Sequence, residues 1–112
     1  MMNIKETITF DDILLVPQYS EIISRKSINI QSELGSDLVF ELPVISSPMD
    51  TVTDGLMAEA ISSAGGLGIV HRYNTIEEQC KHIERLPEGS RAGAAIGVTG
   101  DFLERAKALI SS

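Results

Sequence analysis

The alternation of apolar and polar residues changes rhythm near residue 40. Beyond that point, short runs of small and branched apolar residues alternate with stretches whose apolar positions recur every three or four residues. The first pattern suits a strand buried on both faces, and the second suits an amphipathic helix. Residues 43–46 read as a strand, after which Thr53 or Asp54 can cap a helix running to about Ala64. Asp54 stands where the helix dipole favours negative charge, and Met57, Ile61 and Ala64 mark an inward face. Gly65-Gly66 ends that helix, because glycine tolerates the left-handed backbone that follows one.

The pattern then repeats. Leu67-Gly68-Ile69-Val70 is a second strand, followed by the polar loop His71-Arg72-Tyr73-Asn74. Thr75 and Glu78 have the separation of a capping box, which predicts a helix ending near Leu86, before Pro87. Glu88-Gly89-Ser90 turns the chain into a third strand over residues 92–98. Asp101 and Glu104 open a third helix with Phe102, Ala106, Leu109 and Ile110 along one side. Three β-α units in succession, with strands of the buried type, predict an α/β fold with a parallel sheet.

Residues 1–40 form an irregular lead-in. Two strand-like pieces, Ile28-Asn29-Ile30 and Leu38-Val39-Phe40, flank Gly35-Ser36-Asp37, so a small hairpin is expected there. The adjacent Asp11 and Asp12 supply too few oxygen ligands for a metal and read as a turn or cap.

Composition narrows the class. The chain has 112 residues, 43% hydrophobic and 22% charged, which is globular and about one small domain. No apolar run approaches the roughly 18 residues of a membrane span, and the N-terminus lacks the build of a signal peptide. A formal charge of -7 argues against nucleic-acid binding, which rests on Lys and Arg. The one cysteine excludes an internal disulfide and a multi-cysteine zinc site. A cytoplasmic protein is expected.

Parallel α/β sheets place ligands beyond the carboxyl ends of their strands, whether the sheet is open or closed into a barrel. In Leu42-Pro43-Val44-Ile45-Ser46-Ser47-Pro48-Met49-Asp50-Thr51-Val52-Thr53, an apolar strand breaks into small polar residues before an acidic helix start. That is how a strand delivers a ligand loop. Gly65-Gly66-Leu67-Gly68 has the look of a dinucleotide fingerprint, but it precedes its strand, whereas the fingerprint follows one and opens a helix. A Rossmann assignment is rejected.

Four motifs in order carry a family resemblance. Thr9-Phe10-Asp11-Asp12-Ile13-Leu14-Leu15-Val16-Pro17, the run from Ser46 to Thr53, Gly65-Gly66-Leu67-Gly68-Ile69-Val70-His71 and Ala94-Ala95-Ile96-Gly97-Val98 resemble the IMP dehydrogenase and GMP reductase family. The resemblance implies a (β/α)8 TIM barrel, usually tetrameric, acting on a purine nucleoside monophosphate with a nicotinamide cofactor. This chain would supply the N-terminal portion: the lead-in of residues 1–40 and, in residues 41–112, the first three β-α units. Residues 76–91 pass directly into the third strand, so the regulatory nucleotide-binding insert of most dehydrogenases is not expected.

By the same resemblance, Ser47 and Met49 line the substrate pocket. A serine hydroxyl can bond a ribose or phosphate oxygen, and a thioether adapts to a flat base. Asp50 is expected to organise the loop from behind. His71 either faces the cofactor side or is a hydrogen-bonded loop histidine, and Arg72 with Tyr73 contacts ligand, a neighbouring subunit or solvent. His82 is expected to be solvated. Cys80 lies between Ile76 and Ile83 on a helix and reads as a small hydrophobe packed on the sheet. The family's nucleophilic cysteine, its phosphate loops and its potassium site would lie beyond residue 112, so no catalytic residue and no metal ligand is assigned here.

Serine-proline before Met49 resembles dehydrogenases more than reductases, which favours oxidation of IMP to XMP with NAD. Reduction of GMP to IMP with NADPH is the alternative. A third reading is a non-catalytic, truncated chain that binds a full-length relative. The segment alone is expected to be inactive, because three strands do not close a barrel.

Overall fold

The computed structural model describes residues 5–35 and 37–112. Residues 1–4, and Ser36 of the expected hairpin turn, lie outside the described residues. The elements are β1 (Ser32–Glu33), β2 (Val39–Phe40), β3 (Ile45–Ser46), α1 (Gly55–Ser63), β4 (Leu67–Val70), α2 (Ile76–Glu84), β5 (Ala92–Ala94) and α3 (Phe102–Ser111), with short 3-10 turns at Phe10–Asp12 and Arg25–Ser27.

β3, β4 and β5 form a parallel sheet in sequence order, with Ile45 opposite Leu67 and Ile69 opposite Gly93. α1 packs on this sheet, chiefly on β4; α2 touches α1 and α3 and also rests on β4 and β5. The α/β architecture expected from the periodicity is therefore present. Along β4 the burial alternates: Gly68 and Val70 are buried, while Leu67 and Ile69 are half-buried. Gly68 and Val70 face the helices, and by register Ile45, Leu67, Ile69 and Gly93 line the other face.

Local capping sets each helix start. The Asp54 carboxylate accepts from the Met57 N–H at 2.9 Å, so Asp54, not Thr53, is the cap of α1. Thr75 and Glu78 close the expected capping box on α2, at 3.1 and 2.9 Å. Gly65, at φ +89°, ends α1 in the left-handed region. In the lead-in, the Asp12 carboxylate accepts from the Thr9 N–H at 2.8 Å, which gives Asp12 the cap role expected of it.

Several expectations need correction. The inward face of α1 runs through Gly55 and Ala58, whereas Met57 is 40% exposed and Ala64 is exposed as well. The reason lies on β4: a Cβ added to Gly68 would stand 2.8 Å from the Ala58 Cβ, so helix and strand approach where both residues are smallest. The first hairpin strand is Ser32–Glu33, not residues 28–30. There the Asn29 side-chain carbonyl accepts the Gln31 N–H at 2.9 Å, a local bond that competes with strand pairing. The third strand stops at Ala94 rather than residue 98, because β4 ends at Val70 and its carbonyl takes the last ladder bond, from the Ala95 N–H at 2.9 Å.

The hairpin lies at the amino end of the sheet. Phe40 is 3% exposed beneath the Arg91 guanidinium, which also donates to the Val39 carbonyl, and the Arg91 N–H donates to the Ser62 hydroxyl at 2.8 Å. Residues 5–31 are otherwise exposed, including Phe10, Leu14, Leu15, Tyr19 and Ile23. The radius of gyration is 18.7 Å, against about 13 Å for a compact domain of this length. No helix among the described residues is long and apolar enough to cross a membrane.

Candidate functional site

The loops that leave the carboxyl ends of β3, β4 and β5 gather at one end of the sheet, because parallel strands all point the same way. From β3 comes the segment of residues 47–54. Its backbone folds back on itself: the Met49 N–H donates to the Ser47 carbonyl at 2.9 Å, and the Met49 carbonyl accepts from the N–H groups of Val52 and Thr53, both at 3.0 Å. Ser47 and Met49 remain open to solvent, Met49 at 52% exposure. A hydroxyl and a thioether are thus presented on a braced loop. Asp50 is exposed on the outer side, lining a shallow groove with Val52, Leu56 and Met57 against α1.

Thr53 holds this loop in place. It is fully buried, its hydroxyl donates to the Ser47 carbonyl at 2.6 Å, and its own carbonyl accepts from the His71 N–H at 3.1 Å. The β3 loop and the end of β4 are thereby joined through one residue. Sequence reasoning weighed Thr53 only as a helix cap and missed this role. A hydroxyl five residues beyond a serine-proline pair was the only signal available.

His71 is 8% exposed, and its Nδ1 accepts from the Tyr73 N–H at 3.2 Å. Its ring stacks on Tyr73 with centroids 6.3 Å apart, and the tilted ring of His82 lies 6.2 Å away. His71 is thus a hydrogen-bonded loop histidine, one of the two roles open to it. Arg72 reaches across to the β5 loop: a Cβ added to Gly97 would meet its guanidinium at 3.4 Å, and the guanidinium carbon lies 5.6 Å from the centre of the exposed Tyr73 ring. Arg72 and Tyr73 therefore present a cation and a flat ring at the mouth of the sheet.

His82 is not simply solvated. Its Nδ1 accepts the Gly55 N–H at 3.1 Å, satisfying one of the free donors in the first turn of α1. Nearby, the Met57 N–H beside Asp54 holds its carboxyl below the usual carboxylate value, against the opposing effect of desolvation. The Thr75 backbone N–H does the same for Glu78.

Behind the loops lies a buried polar network that periodicity did not reveal. Gln79 is fully buried on the sheet side of α2; its Nε2 donates to the Ala95 carbonyl at 2.9 Å and makes a longer contact with the Val70 carbonyl at 3.4 Å. Its Oε1 accepts from Arg105 of α3 at 2.9 Å, and Arg105 also donates to the Asn74 carbonyl at 3.1 Å and to Asp101 at 2.9 Å. The ends of β4 and β5 are thereby tied to two helices. Cys80, the neighbour of Gln79, is buried as expected and lines the groove between α2 and α3 with Ile76 and Ala108. Among the described residues, no group of three or more His, Cys, Asp or Glu side chains is placed to hold a metal.

Comparison with known proteins places this geometry. The family profile described as IMP dehydrogenase / GMP reductase domain matches residues 7–112. An inosine-5'-monophosphate dehydrogenase from Nitrosopumilus maritimus is 46% identical over 85 residues, covering 76% of this chain and 18% of the relative. A GMP reductase from Leishmania donovani is 39% identical over 84 residues, covering 75% of this chain and 17% of the relative. Among solved structures, an inosine 5' monophosphate dehydrogenase from Legionella pneumophila superposes with a TM-score of 0.83 at 40% identity, over 95% of this chain and 32% of that one. The chain thus spans about a fifth of the length of the curated relatives it matches. With the profile covering nearly every residue, the chain belongs to the IMP dehydrogenase / GMP reductase family.

Proposed function

We propose that this chain is the N-terminal portion of a (β/α)8 barrel that oxidises IMP to XMP with NAD. The observation that carries the reading is the β3 loop: Ser47 and Met49 stand open at the carboxyl end of a parallel sheet, on a backbone that Thr53 pins. Ligands of parallel barrels bind at that end. The sequential strand order and the uncovered face with Ile45, Leu67 and Ile69 suit a barrel interior, where such side chains stack in layers. On this reading residues 1–40 are the lead-in, residues 41–112 are the first three β-α units, and α2 runs into β5 without a regulatory insert.

In the site, Ser47 would bond a ribose or phosphate oxygen and Met49 would pack on the purine. The residues present fit a nicotinamide cofactor at the β4 loop, where Arg72 offers a charge for its phosphates and Tyr73 a face for a flat ring. When bound, NAD accepts the hydride from the purine carbon. The covalent thioimidate that water resolves needs a cysteine thiolate, and the buried helical Cys80 is not that group. The cysteine loop and the potassium site belong to later β-α units, and the complete protein is a cytoplasmic homotetramer.

The GMP reductase from Leishmania donovani supports a second reading, reduction of GMP to IMP with NADPH and release of ammonia. Both reactions move hydride at the same purine carbon, so the pocket residues of this chain serve either. Serine-proline before Met49 favours the dehydrogenase. Assaying the complete protein with IMP and NAD beside GMP and NADPH decides between them. XMP formation is expected. Turnover of GMP alone would make it a reductase, and turnover of neither would leave the non-catalytic reading.

A further inference from the structure

We infer that Thr53 is the positioning residue of the nucleotide loop, and that its hydroxyl sets nucleotide affinity without touching the nucleotide. The inference rests on the proposed reading of Ser47 and Met49 as pocket residues, but its geometry stands independently. Thr53 uses each of its polar groups on a different part of the site. The hydroxyl donates to the Ser47 carbonyl at 2.6 Å, the N–H donates to the Met49 carbonyl at 3.0 Å, and the carbonyl accepts from the His71 N–H at 3.1 Å.

Each of these bonds constrains something distinct. The bond to Ser47 fixes the chain direction where the serine leaves β3. The bond to Met49 closes the turn that presents the thioether, and the bond to His71 locks that turn to the end of β4. Thr53 is fully buried, so water cannot replace a lost donor there. The Ser47 carbonyl would then lose its partner, and the loop would sample other conformations. A loop that must be ordered on binding gives up affinity in proportion.

Two substitutions separate the hydroxyl from the side-chain shape. Thr53→Val keeps the branched shape and removes the donor, while Thr53→Ser keeps the donor. Ser62→Ala is the control: it removes one hydrogen bond, from the Arg91 N–H, at the opposite end of the sheet. In the complete protein, dissociation constants for IMP and GMP would be measured together with amide hydrogen exchange over residues 47–53.

Thr53→Val is expected to weaken nucleotide binding about tenfold, to raise KM far more than it lowers kcat, and to speed exchange at Met49 and Thr53. Thr53→Ser should restore all three, and Ser62→Ala should leave them at the wild-type level. Unchanged exchange in Thr53→Val overturns the inference. So does nucleotide affinity within twofold of wild type, or an equal loss in Ser62→Ala. If the wild-type protein bound neither nucleotide, the proposed function would fall. Faster exchange in Thr53→Val, reversed in Thr53→Ser, would still support the positioning role, and unchanged exchange would still refute it.

Discussion

Ala58 of α1 and Gly68 of β4 pack so closely that a Cβ added at Gly68 would lie 2.8 Å from the Ala58 Cβ. The helix can settle on the central strand only because neither residue has bulk at that point. Gly68→Ala should therefore push α1 outward and destabilise the fold by about 1–3 kcal/mol, the scale of overpacking. Denaturant unfolding of the complete protein checks this, and a loss below about 0.5 kcal/mol, typical of surface changes, would contradict it.

Arg105 is 7% exposed, and its fixed charge is held by neutral groups on one side and by a half-exposed carboxylate on the other. The exposed side of the pair contributes little, since solvent screens it. The bonds to Gln79 and the Asn74 carbonyl matter more, because their loss leaves buried acceptors without donors. Arg105→Met should cost about 2–3 kcal/mol, and Asp101→Asn less than about 1 kcal/mol. A double-mutant cycle with Gln79→Leu should show strong coupling, and independent effects would argue against a shared network.

Acid should loosen the start of α1 first through Asp54. Its carboxyl is held below the ordinary aspartate value by the Met57 N–H, so the folded state binds protons less readily than the unfolded chain. The stabilisation is present above the unfolded pKa and is lost as pH falls through the lower folded one. Asp54→Asn keeps the cap acceptor and removes the charge. It should flatten the pH dependence of stability below about pH 4 and lower neutral-pH stability toward the level the wild type reaches in acid. Chemical unfolding at a series of pH values measures both.

The Met49 side chain is about half-exposed. Met49→Ala should spare the thermal midpoint of the complete protein. It should weaken nucleotide binding by about 1–3 kcal/mol, the scale of burying one side chain. Equal affinity for both IMP and GMP before and after substitution would remove Met49 from the pocket.

The buried Cys80 should react slowly with thiol reagents in the assembled protein, since a reagent must first reach the buried sulfur. Cys80→Ala should leave turnover close to wild type. Strong inactivation with the fold preserved would mean that the groove between α2 and α3 serves the chemistry directly.

Much of this protein is fixed by interactions that span three or four residues, and those are legible in the chain. Thr75 and Glu78 satisfy each other across one turn, Gly65 supplies a positive φ where a helix must stop, and the apolar run at residues 67–70 is a strand as written. The motif Ser47-Pro48-Met49 was legible too, as a loop following a strand. Tertiary structure alone decided which helix faces are buried. Periodicity assigns apolar residues inward, so it chose Met57, whereas the bare backbone of Gly68 selected Ala58. The same rule passes over Gln79 and Arg105, which are polar and yet buried, because their partners lie 26 residues apart in sequence and meet only when α2 and α3 pack together. Thr53 is the intermediate case: its bond to Ser47 spans six residues, but its contact with His71 needs the parallel pairing of β3 and β4. Hydrogen-bonding capacity is written in each residue type, and the partner that uses it is chosen by the packing of distant segments.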